Sequence, residues 1–305
     1  KRARRASTRG ILAAMADSLR DEHERHAEDP SRRVLLAGAA GAGFALAVRP
    51  VAADTITTSA AGLSVADVRV PTSAGEIPAY RAMPADKSQK KHPLVLVVHE
   101  IFGVHEHIRD VCRRLAKQGY FAVAPDLFVR QGDVTKLAGM DEIRKVVNAA
   151  PDAQVLHDLD ATVRWAEHEP ADIGKLAVTG FCWGGRIVWL YAAHREDLKA
   201  GVAWYGKLTG DKNDLRPRQP LDLGAAINAP VLGLYGGKDQ SIPPTDVEAM
   251  KKLLAGGNQA ARASEILVYP QAGHAFLADY RPSYEPHAAA DGWQRMLGWF
   301  KRHGV

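Results

Sequence analysis

The side chain best placed for covalent chemistry is a cysteine set among glycines. Gly180-Phe181-Cys182-Trp183-Gly184-Gly185 follows the run Lys175 to Thr179 and precedes the helical stretch Arg186 to His194. That strand-turn-helix setting is the one a nucleophile elbow needs, G-x-nucleophile-x-G, with cysteine where serine is more usual. The nucleophile of an elbow sits in a strained backbone conformation, and side chains two positions before or after it would strike the neighbouring strand and helix. A helix N-terminus behind Cys182 adds positive potential that favours thiolate over thiol. A purely structural cysteine in a Gly-rich turn is the plain alternative. A phosphate-binding turn is disfavoured because neither G-x-G-x-x-G nor the Lys-Ser/Thr of a Walker loop is present.

An elbow predicts its partners in the chain order nucleophile, acid, histidine. The run Val231 to Tyr235 leads into Gly236-Gly237-Lys238-Asp239, and Glu265 to Tyr269 leads into Pro270-Gln271-Ala272-Gly273-His274. Asp239 would hold the imidazole tautomer, and His274 would exchange a proton with Cys182 and the leaving group. Asp246 and His287 are the nearest rivals, but both fall in or beside helical patterns. One oxyanion donor should be the backbone N–H of Trp183. The other should come from the loop His99-Glu100-Ile101-Phe102-Gly103, which follows the run Leu94 to Val98.

The elements that would bring these residues together form a βα series. Strands are predicted at Leu63–Val70, Glu76–Met83, Pro93–Val98, Tyr120–Ala124, Lys175–Thr179, Gly201–Tyr205, Val231–Tyr235 and Glu265–Tyr269. Ile108, Val111, Cys112 and Leu115 recur at helical spacing, as do Leu156, Leu159, Val163 and Ala166. A last helix is predicted from about Pro286 to His303, with Trp293, Met296, Leu297 and Phe300 inward. Short apolar strands alternating with helices predict an α/β fold, with a mostly parallel central sheet covered by helices on both faces. Cys112, on an apolar helix stripe, reads as a small buried hydrophobe.

The chain has 305 residues, 46% hydrophobic and 25% charged, which is ordinary for a globular protein, and two cysteines, which exclude a disulfide scaffold. Residues 1–53 hold 10 basic and 6 acidic side chains, leaving 30 against 29 for residues 54–305, so net charge points to no nucleic-acid partner. Ser31-Arg32-Arg33-Val34-Leu35-Leu36 opens a weakly hydrophobic run to Val48 that resembles a twin-arginine export signal, too short for a stable membrane span. The expected organisation is therefore a leader over 1–53, cleaved near Ala53, and one domain over 54–305. The expected partner of the leader is the twin-arginine export machinery, and the expected location is the periplasm.

Glu100-Ile101-Phe102-Gly103, the cysteine elbow, Gly237-Lys238-Asp239 and Ala272-Gly273-His274 stand in the order found in the dienelactone hydrolase family. The chain resembles that family over roughly residues 60 to 303. The resemblance implies an α/β-hydrolase fold and a carboxymethylenebutenolidase-like hydrolase of small ester or lactone substrates, without metal or organic cofactor. It implies Cys182 as nucleophile in a Cys-His-Asp triad with His274 and Asp239, acting through a thioester. Glu100 would be the extra acid beside the thiol, governing its protonation before substrate arrives, and Ile101 and Trp183 the oxyanion donors. One departure concerns substrate binding. Lactone hydrolases of the family place an arginine four residues after the histidine, where this chain has Ala278, and the residue after the histidine is Ala275 rather than a hydroxyl. Either Arg281 substitutes for that cation, or the substrate lacks a carboxylate and Trp183 and Tyr205 form a more apolar acyl pocket.

Two other classes remain in view. The cluster His99, His105 and His107 suggests a metal-dependent hydrolase, although H-E-x-x-H is absent. A non-catalytic binding protein of the same fold would be expected to have a damaged triad, whereas every part is present.

Overall fold

The computed structural model describes residues 56–86 and 91–305, so the expected leader with its twin-arginine motif and cleavage site lies outside the described residues. The sheet has eight strands: β1 (Leu63–Thr72), β2 (Gly75–Pro84), β3 (His92–Val98), β4 (Phe121–Pro125), β5 (Ala171–Phe181), β6 (Ala200–Trp204), β7 (Val231–Gly236) and β8 (Glu265–Tyr269). Their spatial order is β1-β2-β4-β3-β5-β6-β7-β8. The pairs β1–β2 and β2–β4 are antiparallel, and all the others are parallel. This is the mostly parallel sheet that the sequence pattern predicts, and it is α/β-hydrolase-like, as the family resemblance implies.

The strand compositions explain where each strand lies. Leu94 to Val98, all of β4 and all of β6 are buried, because continuous apolar runs suit strands covered on both faces. β1 alternates mostly half-buried and exposed positions, and β8 is half-buried from Ile266 to Tyr269 with Glu265 exposed, as befits the two edges. The flanking helices are α1 (Glu106–Lys117), α2 (Met140–Ala149), α3 (Asp152–Ala166), α4 (Trp183–His194), α5 (Pro220–Leu223), α6 (Pro244–Gly256), α7 (Gln259–Arg262) and α8 (Pro286–Arg302). α1 packs on β2 and β4, α4 on β5 and β6, and α8 on β6 and β7. Among the described residues no helix is long and apolar enough to cross a membrane.

Two details differ from the sequence reading. In α8 the large buried side chains are Met296, Trp299 and Phe300, beside the small Ala288, Ala289 and Gly292, while Trp293 and Leu297 are half-buried. Gly292 lets the helix approach closely, since a Cβ there would strike the Trp204 ring at 2.7 Å, and Met296 and Phe300, four and eight residues on, share its face. The segment after β4 also builds its own small apolar cluster of Phe128, Val134, Ile143, Val147 and Ala150. That cluster rests on Ile101, Phe102 and Trp183, so it forms a wall against the elbow and the loop after β3. Cys112 is fully buried as expected, and burial pushes its thiol pKa well up.

Candidate active site

The parallel strands β3, β5, β6, β7 and β8 end beside one another, and the residues singled out by the sequence follow their C-terminal ends. Cys182 comes directly after β5 with φ 55° and ψ −113°, as the N-cap of α4. Its N–H donates to the Trp204 carbonyl at 3.0 Å, and its own carbonyl accepts from the Arg186 N–H at 3.2 Å. The flanking glycines are required by contact. A Cβ on Gly184 would sit on the carbonyl oxygens of Val98 and His99, and one on Gly180 would meet the Gly184 carbonyl and, at 3.0 Å, the Val98 side chain. Among the described residues only three non-glycines have positive φ: Cys182, Tyr205 and Ala275. One is the elbow residue, one directly follows the next strand, and one follows His274, so backbone strain gathers around a single locus.

Asp239 and His274 converge as the elbow predicts. Nδ1 of His274 lies 2.7 Å from Oδ2 of Asp239. An ionised carboxylate only accepts, so Nδ1 carries the hydrogen and Nε2 is left for the thiol. Burial works against a charge on this imidazole. The Cys182 sulfur and the Asp239 carboxylate outweigh it and raise the His274 pKa to about 10. Burial likewise opposes ionisation of Asp239, but His274 and Ser241 hold its carboxyl below the usual range. Ser241 is a residue that the sequence reading missed. Its backbone N–H and hydroxyl both donate to Asp239 Oδ1, at 2.8 and 2.7 Å, and its Oγ lies 3.2 Å from His274 Nδ1. The Asp-x-Ser spacing of an Asx turn was the available signal.

Glu100 is fully buried after β3. Its Oε2 accepts the Tyr280 hydroxyl at 2.6 Å and lies 3.4 Å from His105 Nε2 and 3.7 Å from Arg281 Nη2. Burial opposes its ionisation, but the Arg281 guanidinium, with His105 and His107, holds the carboxyl well below the usual range. Oε1 has no hydrogen-bond partner among the described residues. Tyr280, which local pattern gave no means of finding, is thus a principal partner of this acid. Arg281 is buried with its guanidinium over the Phe102 and Tyr280 rings, and its Nε and Nη2 make no hydrogen bond to the described residues. Tyr205 is fully buried, its hydroxyl has no hydrogen-bond partner among the described residues, and its ring meets His274 edge-on at 5.2 Å.

The metal alternative does not survive this geometry. His99 is fully buried, with Nδ1 2.6 Å from the Glu100 carbonyl and Nε2 3.1 Å from the Leu127 N–H, so backbone groups occupy both its nitrogens. His105 faces Glu100 and His107 faces Asp279. Among the described residues, no group of three or more His, Cys, Asp or Glu side chains is arranged to hold a metal ion.

Comparison with known proteins places the chain in a family. The profile of the "Dienelactone hydrolase family" matches residues 77–304. The chain belongs to the dienelactone hydrolase family. Among its relatives in that family, the "Putative carboxymethylenebutenolidase" of Methylorubrum extorquens is 55% identical over 278 residues, covering 90% of this chain and 94% of the relative. A protein of the same name from Escherichia coli K12 is 52% identical, covering 86% of this chain and 96% of the relative. The crystal structure of a "Putative Dienelactone Hydrolase" from Klebsiella pneumoniae superposes with a TM-score of 0.75 at 52% identity, over 79% of this chain and 99% of that one. Ala278 is fully buried, and Arg281 Nη2 lies 3.7 Å from Glu100 Oε2.

Proposed function

We propose that this member of the dienelactone hydrolase family cleaves carboxylic esters or lactones with a Cys182-His274-Asp239 triad. The observation that carries the proposal is the Asp239–His274 hydrogen bond at 2.7 Å, with the imidazole pKa raised by the neighbouring sulfur. The Cys182 thiolate attacks the carbonyl carbon, forming an S–C bond and an oxyanion held by the N–H groups of Trp183 and Ile101. Collapse of that intermediate breaks the C–O bond, and imidazolium His274 gives its proton to the departing oxygen. Water then attacks the thioester as His274 takes its proton, and the C–S bond breaks to return the thiolate. Glu100 sets the protonation of the resting thiol from within its cationic surroundings.

Arg281 and Tyr205 support a substrate that carries a carboxylate near the scissile bond, because both present buried donors with no hydrogen-bond partner among the described residues. The apolar wall of Trp183 and Phe128, whose rings lie 4.5 Å apart, would take the acyl part. The leader is proposed to route the folded protein through twin-arginine export to the periplasm, with cleavage near Ala53, which cell fractionation with N-terminal sequencing would test. For the chemistry the test is hydrolysis of p-nitrophenyl esters and of lactones with and without a carboxylate. Turnover that survives a chelator and stops on thiol alkylation supports the triad. Loss with the chelator, or turnover untouched by alkylation, contradicts it.

A further inference from the structure

We infer that His99 is a positioning residue for the oxyanion hole: it pins the Glu100–Ile101 peptide so that the Ile101 N–H is aimed, and it braces the Trp183 ring beside the nucleophile. The inference rests on the proposed cysteine hydrolysis. The Leu127 backbone N–H can only donate, so the His99 Nε2 atom 3.1 Å away must accept. Neutral imidazole has one hydrogen, which therefore sits on Nδ1 and is donated to the Glu100 carbonyl at 2.6 Å. Burial lowers the pKa of His99 and keeps the ring neutral, in accord with that assignment.

The Glu100 carbonyl belongs to the same peptide group as the Ile101 N–H. In a trans peptide the two point in opposite directions, so fixing the carbonyl fixes the line of the N–H. Apart from His99, this carbonyl accepts only a longer bond from the Gly103 N–H, at 3.4 Å, among the described residues. The imidazole also stacks on the Trp183 indole at 5.6 Å with 16° between planes, and meets Phe128 edge-on at 4.8 Å. One ring thus bonds the Glu100–Ile101 peptide through its carbonyl, stacks on Trp183, and ties both to the loop after β4.

The test uses the full chain and two isosteric variants. Asparagine can keep a donor near the Nδ1 place, and glutamine can keep an acceptor near the Nε2 place. Removing an oxyanion donor outright costs about 100- to 1000-fold in kcat, so misaiming one in His99→Gln should cost about 10- to 100-fold with KM little changed. His99→Asn should retain most of kcat while melting at a lower temperature, because the Leu127 N–H loses its acceptor. Iodoacetamide alkylation of Cys182 develops no oxyanion, so its rate should be the same in wild type and both variants. A wild-type kcat in His99→Gln, a parallel fall in alkylation, or His99→Asn no better than His99→Gln would overturn the proposal.

Wild-type protein offers a measurement that does not depend on variant folding. Long-range 1H–15N spectra should show His99 as the Nδ1–H tautomer, without titration across the neutral range. An Nε2–H tautomer or an imidazolium would overturn the proposal. Absence of ester and lactone turnover in the wild type would instead remove the reading beneath it, which the tautomer measurement distinguishes from failure of the positioning role.

Discussion

Tyr280 donates its hydroxyl hydrogen to Glu100 Oε2 at 2.6 Å, so the buried acid of the site is held by a phenol 180 positions away in the chain. The next residue, Arg281, places its guanidinium 3.7 Å from the same oxygen. Asp279, just before them, is gripped by Arg114 at 2.5 Å and lies 3.3 Å from His107. Three consecutive residues therefore couple Glu100 to α1.

Tyr280→Phe should remove a hydrogen bond to a charged group, a loss of about 1.5–3 kcal/mol in stability. It should also raise the Glu100 carboxyl pKa, since a donor to the charged form is gone. Urea unfolding and the pH dependence of Cys182 alkylation measure the two effects. An unchanged unfolding midpoint together with an unchanged alkylation profile would count against this account of Glu100.

Ser241→Ala should leave the backbone donor to Asp239 Oδ1 and delete the hydroxyl one. With a hydrogen bond to a carboxylate worth about 1.5–3 kcal/mol, kcat/KM should drop by about 10- to 150-fold. The loss should fall on kcat, because the hydroxyl orients the acid rather than the substrate. A change confined to KM would show that Ser241 contacts substrate instead.

Folding raises the His274 pKa from an ordinary 6.5 to about 10. A group of this kind stabilises the fold fully below its unfolded pKa, and that contribution disappears as the pH climbs through the folded one. The stability advantage of wild type over His274→Gln should therefore be greatest below about pH 6.5 and fade towards pH 10, as urea midpoints would reveal. Introducing Cys182→Ala into both proteins should flatten the trend, because the sulfur helps to hold the proton. A difference independent of pH would contradict the charge pairing.

Gly184→Ala puts a methyl group onto two carbonyl oxygens of the β3 end. The backbone there cannot yield without moving the elbow, so the variant should lose about 3 kcal/mol or more, or fail to accumulate as folded protein. Gly298→Ala, with nothing near its Cβ position, is the control and should fold normally.

The βα series was legible because β3, β4 and β6 are covered on both faces, which leaves uninterrupted apolar runs in the chain. Cys182, Asp239 and His274 were legible because the elbow's glycines and strand-end placement are local consequences of the fold. Tyr280 was not, since its pairing with Glu100 depends on tertiary contact and leaves no nearby mark. The cluster around Phe128 was missed for a related reason. Its few apolar residues are scattered from 128 to 150 and gain a common face only when they pack on Ile101, Phe102 and Trp183. Ser241 lay in plain sight beside Asp239, and an Asx-turn reading of Asp-x-Ser would have found it.

The central claim is that an acyl group passes through the sulfur of Cys182. Incubating the protein with a slowly deacylating p-nitrophenyl ester, quenching in acid and mapping the peptides by mass spectrometry addresses it most directly. The predicted result is one acyl adduct, on the peptide containing Cys182, labile to hydroxylamine and missing from Cys182→Ala. Acylation of another residue, or full turnover by Cys182→Ala, would contradict the account.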